Sequence, residues 1–271
     1  MSGDAVSAAL AAVFIDAGSE AVWEALCQPE AMSGWLAERI EAPGGIARGA
    51  MVELFWDSIG VSQKVEVEAL EAPVRMVFGA TSGRRRQHQE TRIRAVGDGT
   101  EVTVAHTGFA DTEGGRDQRA GQQAGWHATL RLLKRYVERH APATRQSAAV
   151  ATTWVTAFSS VTGDMFTAPG LGRWLCPGGA SLGTGEGKTA RLGLAPGQIL
   201  DGIILAWAPP RELVIAGTIG SGPEVIVRLR AISEDGLDPG AKLILVQLST
   251  FSGADLAPIA DAVATGLARL P

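Results

Sequence analysis

An internal echo constrains this chain more than any other feature. Pro29-Glu-Ala-Met-Ser-Gly-Trp35-Leu36 returns, one residue shorter, as Pro169-Gly-Leu-Gly-Arg-Trp174-Leu175. Gly44-Gly45 returns as Gly178-Gly179, and Ala72-Pro-Val-Arg-Met-Val-Phe78 as Ala208-Pro-Pro-Arg-Glu-Leu-Val-Ile215. Thr91-Arg-Ile-Arg-Ala-Val96 returns as Val227-Arg-Leu-Arg-Ala-Ile232. A period of about 140 residues is domain-sized, so the echo reads as a duplicated domain and not as a short-repeat solenoid. The expected division is residues 1–141, a small, polar, Pro-containing linker at 142–151, and a second copy over 152–271.

Each copy must bury its apolar residues with the elements its pattern allows. In copy one, Val13–Ala17 reads as a first strand. Gly18-Ser19 reads as a turn and N-cap, with Glu20 favoured in the first turn by the helix dipole. Val22, Trp23 and Leu26 populate the short helix that follows, and Pro29–Trp35 forms a second helical turn with Pro at its start. After the loop Gly44–Gly49 come strand candidates at Ala50–Asp57, Val61–Leu70, Val74–Thr81, Gln87–Val96 and Thr100–Thr107, each bounded by Gly, Pro or Asp. Gly121–His140 closes the copy. At about 100° per residue, Trp126, Leu130, Leu133 and Val137 share one stripe that Gln122 joins, Thr129 and Tyr136 border it, and Arg131, Arg135, Glu138 and Arg139 lie opposite. A sheet and one long amphipathic helix that cover each other make an α+β, two-layer solution.

Period-two alternation also suggests an inner face: Val52, Leu54 and Trp56 share one side of their strand, as do Val61, Gln63, Val65 and Val67 of theirs. A tight connection at Gly97-Asp98-Gly99 that sets Ala95 against Val102 would place Ile93 against Val104 and Thr91 against His106. His106 then points the same way as the apolar side chains, toward the helix. In copy two, Ile203–Trp207, Leu213–Ala216 and Leu243–Val246 are nearly continuous apolar runs, and Leu256, Ile259, Val263, Leu267 and Leu270 form the last helix's stripe. Strands apolar on both sides are expected to be covered on both sides. Copy two is therefore expected to pack against copy one or another chain, in a structural or interface-forming role.

Of the 271 residues, 46% are hydrophobic, enough for a real core, and a net charge of −5 argues against a general nucleic-acid binder. The N-terminal apolar run lacks preceding basic residues and makes a poor secretory signal. No stretch approaches the roughly 20 apolar residues of a membrane span. Cys27 and Cys176 lie far apart without metal spacing. The expected setting is cytoplasmic, with no nucleic-acid or membrane partner.

The ordered set Ser19-Glu-Ala-Val-Trp-Glu-Ala-Leu26, Pro29-Glu30, Trp35, the Gly-rich loop, Ala72–Phe78, Gly99-Thr-Glu-Val-Thr-Val-Ala-His106-Thr-Gly-Phe109 and Gly125-Trp126 with Leu130, Leu133 and Tyr136 resembles the START-like (SRPBCC) helix-grip superfamily. The branch it is similar to is that of the C-terminal domain of the heat-shock-protein ATPase activator. The resemblance covers most of residues 12–140. Copy two matches in degenerate form, lacking the Gly-Trp of the last helix and carrying about Thr162 in place of Trp23. The resemblance implies tandem helix-grip domains, each a curved antiparallel sheet wrapped around a long C-terminal helix with a cavity between them. Family members bind small apolar molecules, cyclise polyketides or act as protein-interaction modules, so fold alone does not choose among these.

The candidate ligand-binding residues are Trp35, Trp56, Gln63, Phe78, His106 and Trp126. Mostly apolar walls with a few convergent polar groups are the usual form of a small-molecule site. The first reading is a binder of a small hydrophobic or aromatic molecule in copy one. The alternatives are an interaction module with a chaperone partner, or a homodimer, and an enzyme of the cyclase or dehydratase type with Gln63 and His106 in one cavity. No catalytic residue is assigned, because no carboxylate shares the His106 face and no triad context surrounds Ser, Cys or His. No cofactor is expected. No metal is expected either, since His88, His106, His127 and His140 lack paired spacing; His88 and His127 read as solvent-facing. Gly183-Thr-Gly-Glu-Gly-Lys188-Thr189 resembles a phosphate loop but has Leu182 where its first Gly belongs. Arg84-Arg85-Arg86 reads as a solvated hairpin tip.

Overall fold

The computed structural model describes residues 8–82, 85–155, 164–232 and 242–268, and the chain divides into two compact units, Met1–Thr144 and Arg145–Pro271. Arg84, Thr162 and Leu270 lie outside the described residues. Much of the stretch expected as a linker is strand: Gln146–Val155 is the first strand of the second unit.

The first unit is a seven-stranded antiparallel sheet and three helices. Its strands are β1 (Ala9–Ile15), β2 (Arg39–Glu41), β3 (Met51–Trp56), β4 (Val61–Glu71), β5 (Arg75–Ser82), β6 (Arg85–Val96) and β7 (Gly99–Thr107), in the order β1-β7-β6-β5-β4-β3-β2. Helices α1 (Ser19–Cys27) and α2 (Pro29–Ser33) connect β1 to β2, and α3 (Glu113–Arg135) closes the unit, ending in a π-helical turn at Tyr136–His140. The β6–β7 turn is two residues long, with Val96 opposite Gly99 and Gly97 at φ 59°, the first-position glycine of a II′ hairpin. Ile93 therefore faces Val102, Thr91 faces Val104 and Gln89 faces His106. That is two residues from the expected register, and a slip of two keeps every side chain on its face. His106 does share the inner row with Val102 and Val104, which are buried.

Helix α3 begins eight residues before the expected Gly121. The Thr112 hydroxyl caps it by accepting the Gly115 N–H (3.1 Å), and Glu113 sits in its first turn. Its buried residues include Gly125, Ala128, Thr129, Leu132 and Leu133, with Tyr136 buried just beyond. The helix is thus turned toward Thr129 and Tyr136, and Val137, expected in the stripe, is only half-buried beside the π-helical turn. Small residues at 125 and 128 let this side approach the sheet. Gly34, at the end of α2, leaves room for the Tyr136 ring, which a Cβ there would run into. Strand β1 is an edge strand, and α3 occupies its free polar groups. Lys134 Nζ donates to the Phe14 carbonyl (2.8 Å), Arg131 to that of Ala12 (3.4 Å), and the Asp16 N–H donates to Glu138 (2.7 Å). Such cover is how natural sheets blunt an open edge.

The second unit repeats the plan with β8 (Gln146–Val155), α4 (Ala168–Trp174), β9 (Ala180–Leu182), β10 (Thr189–Ala195), β11 (Gln198–Ala208), β12 (Glu212–Ile219), β13 (Glu224–Ile232), β14 (Lys242–Thr250) and α5 (Ala257–Leu267). The strand order is β8-β14-β13-β12-β11-β10-β9. Leu192, Ile215, Val227, Leu229, Val246, Ile259 and Val263 belong to its core. The opposite row is buried as well, at Val214, Ala216, Ile226 and Leu245, as the apolar runs predict. Within that row Glu212 accepts from Arg228 Nε (2.5 Å) and Arg230 Nε (3.3 Å). Trp174 donates its indole N–H to the Met165 carbonyl (3.4 Å), just as Trp35 donates to Ala25 (2.8 Å) in the first unit.

Among the described residues, no helix is long and apolar enough to cross a membrane.

Candidate functional site

Alternation sorts the first sheet with unusual strictness. Rows paired across the strands place Ala9, His106, Gln89 and Phe78 side by side on the concave, helix-facing side. Val67, Val65, Gln63, Leu54 and Trp56 continue that side on β4 and β3. The convex rows carry the charges. Arg86 there bonds Glu68 and Glu66 (2.6 and 2.7 Å), His88 meets Glu68 (2.7 Å), and Arg75 bonds Glu90 (2.6 Å). Burial acts to raise the Glu68 carboxyl, but hydrogen bonds from Arg86 and His88 outweigh it and hold the group below the usual carboxylate range.

The concave side is closed at one end and open at the other. Val13, Val52, Val67, Met76, Ile93 and Val102 are buried under α3 and its neighbours. Toward the β3–β4 hairpin the same rows emerge: Trp56, Gln89 and His106 are half-buried, Gln63 is exposed, and Val61 is 46% exposed, while Gln87, the next concave position on β6, stays buried. One and two helical turns before Trp126, α3 carries Gln122 and Gln118 in place of large apolar residues, and Gln122 is exposed. A polar mouth therefore leads into an apolar interior.

His106 sits at that boundary. Trp126 Nε1–H donates to its Nδ1 (3.2 Å), and the Trp126 and Phe109 rings pack on it at centroid distances of 6.5 and 4.9 Å. Burial lowers the imidazole pKa to about 4, with His88 on the opposite face adding to the effect. The ring is therefore neutral near pH 7, and because Nδ1 accepts, its proton is on Nε2. Among the described residues nothing bonds Nε2.

An unfolded histidine binds a proton below about pH 6.5, whereas folded His106 resists it down to about 4. Its contribution to stability is complete above pH 6.5 and falls away as pH drops toward 4, by up to about 3 kcal/mol. Denaturation midpoints of the first unit, measured from pH 7 to pH 4, are expected to fall more steeply in the natural protein than in His106→Gln. Parallel curves would contradict this.

The six candidates thus separate. His106 and Trp126 bond one another, and Trp56 and Gln63 line the open end of the same face. Phe78 is buried beside Val67 and Gln89. Trp35 is buried with its N–H held by Ala25, a packing position between the short helices. Gln89 was missed. It lies in Gln87-His-Gln-Glu-Thr91, where both rows are polar, so alternation of apolar and polar residues gives no inner face. Its signal is positional: it opposes His106 across the sheet. Burial pushes the Cys27 and Cys176 thiols up to about 12, so neither is a nucleophile near neutrality. Among the described residues no cluster of His, Cys, Asp and Glu could hold a metal ion.

Residues 16–138 match the family model for activator of Hsp90 ATPase homolog 1-like proteins. Over these residues the first unit is similar to that family. This match accounts for less than half of the chain. Similar solved structures include the di-domain ARO/CYC BexL from the BE-7585A biosynthetic pathway. It is 16% identical, covers 97% of this chain and 94% of its own, and has a TM-score of 0.45. DynU16, a protein of the dynemicin biosynthetic locus, is 16% identical over 96% of this chain and 97% of its own, with a TM-score of 0.43. The Aha1 dimer from Colwellia psychrerythraea is 16% identical over 49% of this chain and 97% of its own, also at 0.43. No curated protein matches the chain. In the first unit the convex face also bears a groove of about 390 Å³ lined by Leu10, Ala12, Glu90, Arg92, Thr103 and Ala105 among others. It lies on the opposite side of the sheet from His106.

Proposed function

We propose that the first unit binds a small, largely apolar molecule at the open end of its concave face, with the molecule's polar end at His106. The observation that carries this reading is a neutral, partly accessible imidazole, fixed through Nδ1 by Trp126 and unbonded at Nε2, at the rim of an apolar interior. Apolar walls with few convergent polar groups suit such a ligand. A pKa of about 4 makes His106 a poor proton carrier near neutrality, which favours binding over cyclase or dehydratase chemistry. The second unit serves a structural or interface-forming role in this account, which places the protein in the cytoplasm.

Titration with an uncharged naphthalene probe, followed by tryptophan fluorescence, is expected to saturate at one probe per chain. Trp126→Ala is expected to weaken binding about tenfold or more, the equivalent of roughly 1.4 kcal/mol, and Trp56→Ala to weaken it less. Saturable binding untouched by both substitutions would remove the site from this face. A second reading, an interaction module that stimulates a chaperone ATPase, is favoured by the family match over residues 16–138. Stimulation of a purified chaperone's ATPase by this chain would support it.

A further inference from the structure

The concave face reads the polar end of a ligand with one donor and one acceptor on facing residues. His106 and Gln89 are direct partners across β7 and β6. The His106 Nδ1 is spent on Trp126, so Nε2–H is its outward donor. The Gln89 amide nitrogen donates to Thr91 Oγ1 (3.2 Å), so its Oε1 remains as an acceptor. Neither group has another partner among the described residues. From the facing registers we propose that the ligand enters with an uncharged aromatic hydroxyl foremost, its oxygen accepting from His106 and its hydrogen donated to Gln89. This rests on the binding reading given above and names the ligand class for that site.

Charge points the same way. From Gln87 inward, no concave-row position of the sheet carries an ionisable side chain other than His106, while Glu66, Glu68, Arg86, Glu90 and Arg92 all lie on the convex rows. An ionised carboxylate buried there would meet no counter-charge, and burying an unpaired charge is costly. The cations stay at the mouth. Arg85 is exposed at the start of β6, and Arg119 precedes Trp126 by two helical turns, about 10 Å along the axis. A phenol remains protonated at pH 7, whereas an aromatic acid does not. An ether offers the acceptor but lacks the hydrogen for Gln89.

Three matched probes test the assignment at pH 7 on the full chain: 2-naphthol, 2-methoxynaphthalene and 2-naphthoate. The expected order is naphthol tightest, the ether about fivefold to tenfold weaker, and naphthoate weaker than naphthol by at least tenfold. In Gln89→Leu the gap between naphthol and its ether is expected to close while the ether's own affinity holds, a readout that general loss of structure would not produce. Equal binding of naphthol and ether by the natural protein would overturn the hydroxyl assignment and leave the binding site standing. So would naphthoate binding tightest and losing that advantage in Arg119→Gln. Failure of all three probes to bind would overturn the binding reading itself.

Discussion

Glu212→Leu is expected to destabilise the second unit by about 3–5 kcal/mol, the usual result of removing one side of a buried ion pair. Glu212 is 2% exposed and receives both Arg228, itself 8% exposed, and Arg230. Removing the carboxylate leaves two guanidinium groups two residues apart on one face of β13, in an apolar row with Val214, Ala216 and Leu245. Urea unfolding, with amide hydrogen exchange in β12 and β13 to localise the effect, measures it. Replacing Arg228 by Met in the same background is expected to recover part of the loss, since it removes the more deeply buried of the two guanidinium groups. A loss under about 1 kcal/mol for Glu212→Leu would show that this ion pair is not shielded from water as its burial indicates.

Leu133→Ala is expected to cost the first unit about 3 kcal/mol, within the usual 2–5 for a fully buried leucine, because Leu133 has no exposed surface. Val137→Ala, one turn on and half-buried, is expected to cost under about 1 kcal/mol. On a helical wheel the two residues share a stripe, so this comparison tests the actual phase of α3. Equal losses would mean that the helix is seated as the regular wheel predicts and that the π-helical turn after Arg135 does not re-aim it.

The duplicated architecture was legible because its signals are local and repeated: Pro- and Gly-marked turns, runs of alternating residues, and one long amphipathic segment per copy. The face of His106 was legible too, because a strand has only two faces and an error of two residues preserves them. What escaped the sequence depended on neighbours it does not display. The start of α3 was missed because Glu113–Ala120 contains two glycines and no large apolar residue, so periodicity is silent there. The Thr112 cap with Glu113 behind it was the usable signal. The burial of Trp35 among the short helices follows from its bond to Ala25, which no spacing rule announces. Gln89 was invisible for a related reason: polar side chains facing a cleft break the very alternation by which an inner row is recognised.

The central claim is that the open end of the concave face in the first unit receives a guest at His106. A crystal structure of the full chain with 2-naphthol tests it most directly. The account predicts ordered density between Trp126 and the β3–β4 hairpin, with the naphthol oxygen within hydrogen-bond distance of both His106 Nε2 and Gln89 Oε1. Density instead in the convex groove beside Leu10 and Thr103, with the concave end unchanged, would contradict it.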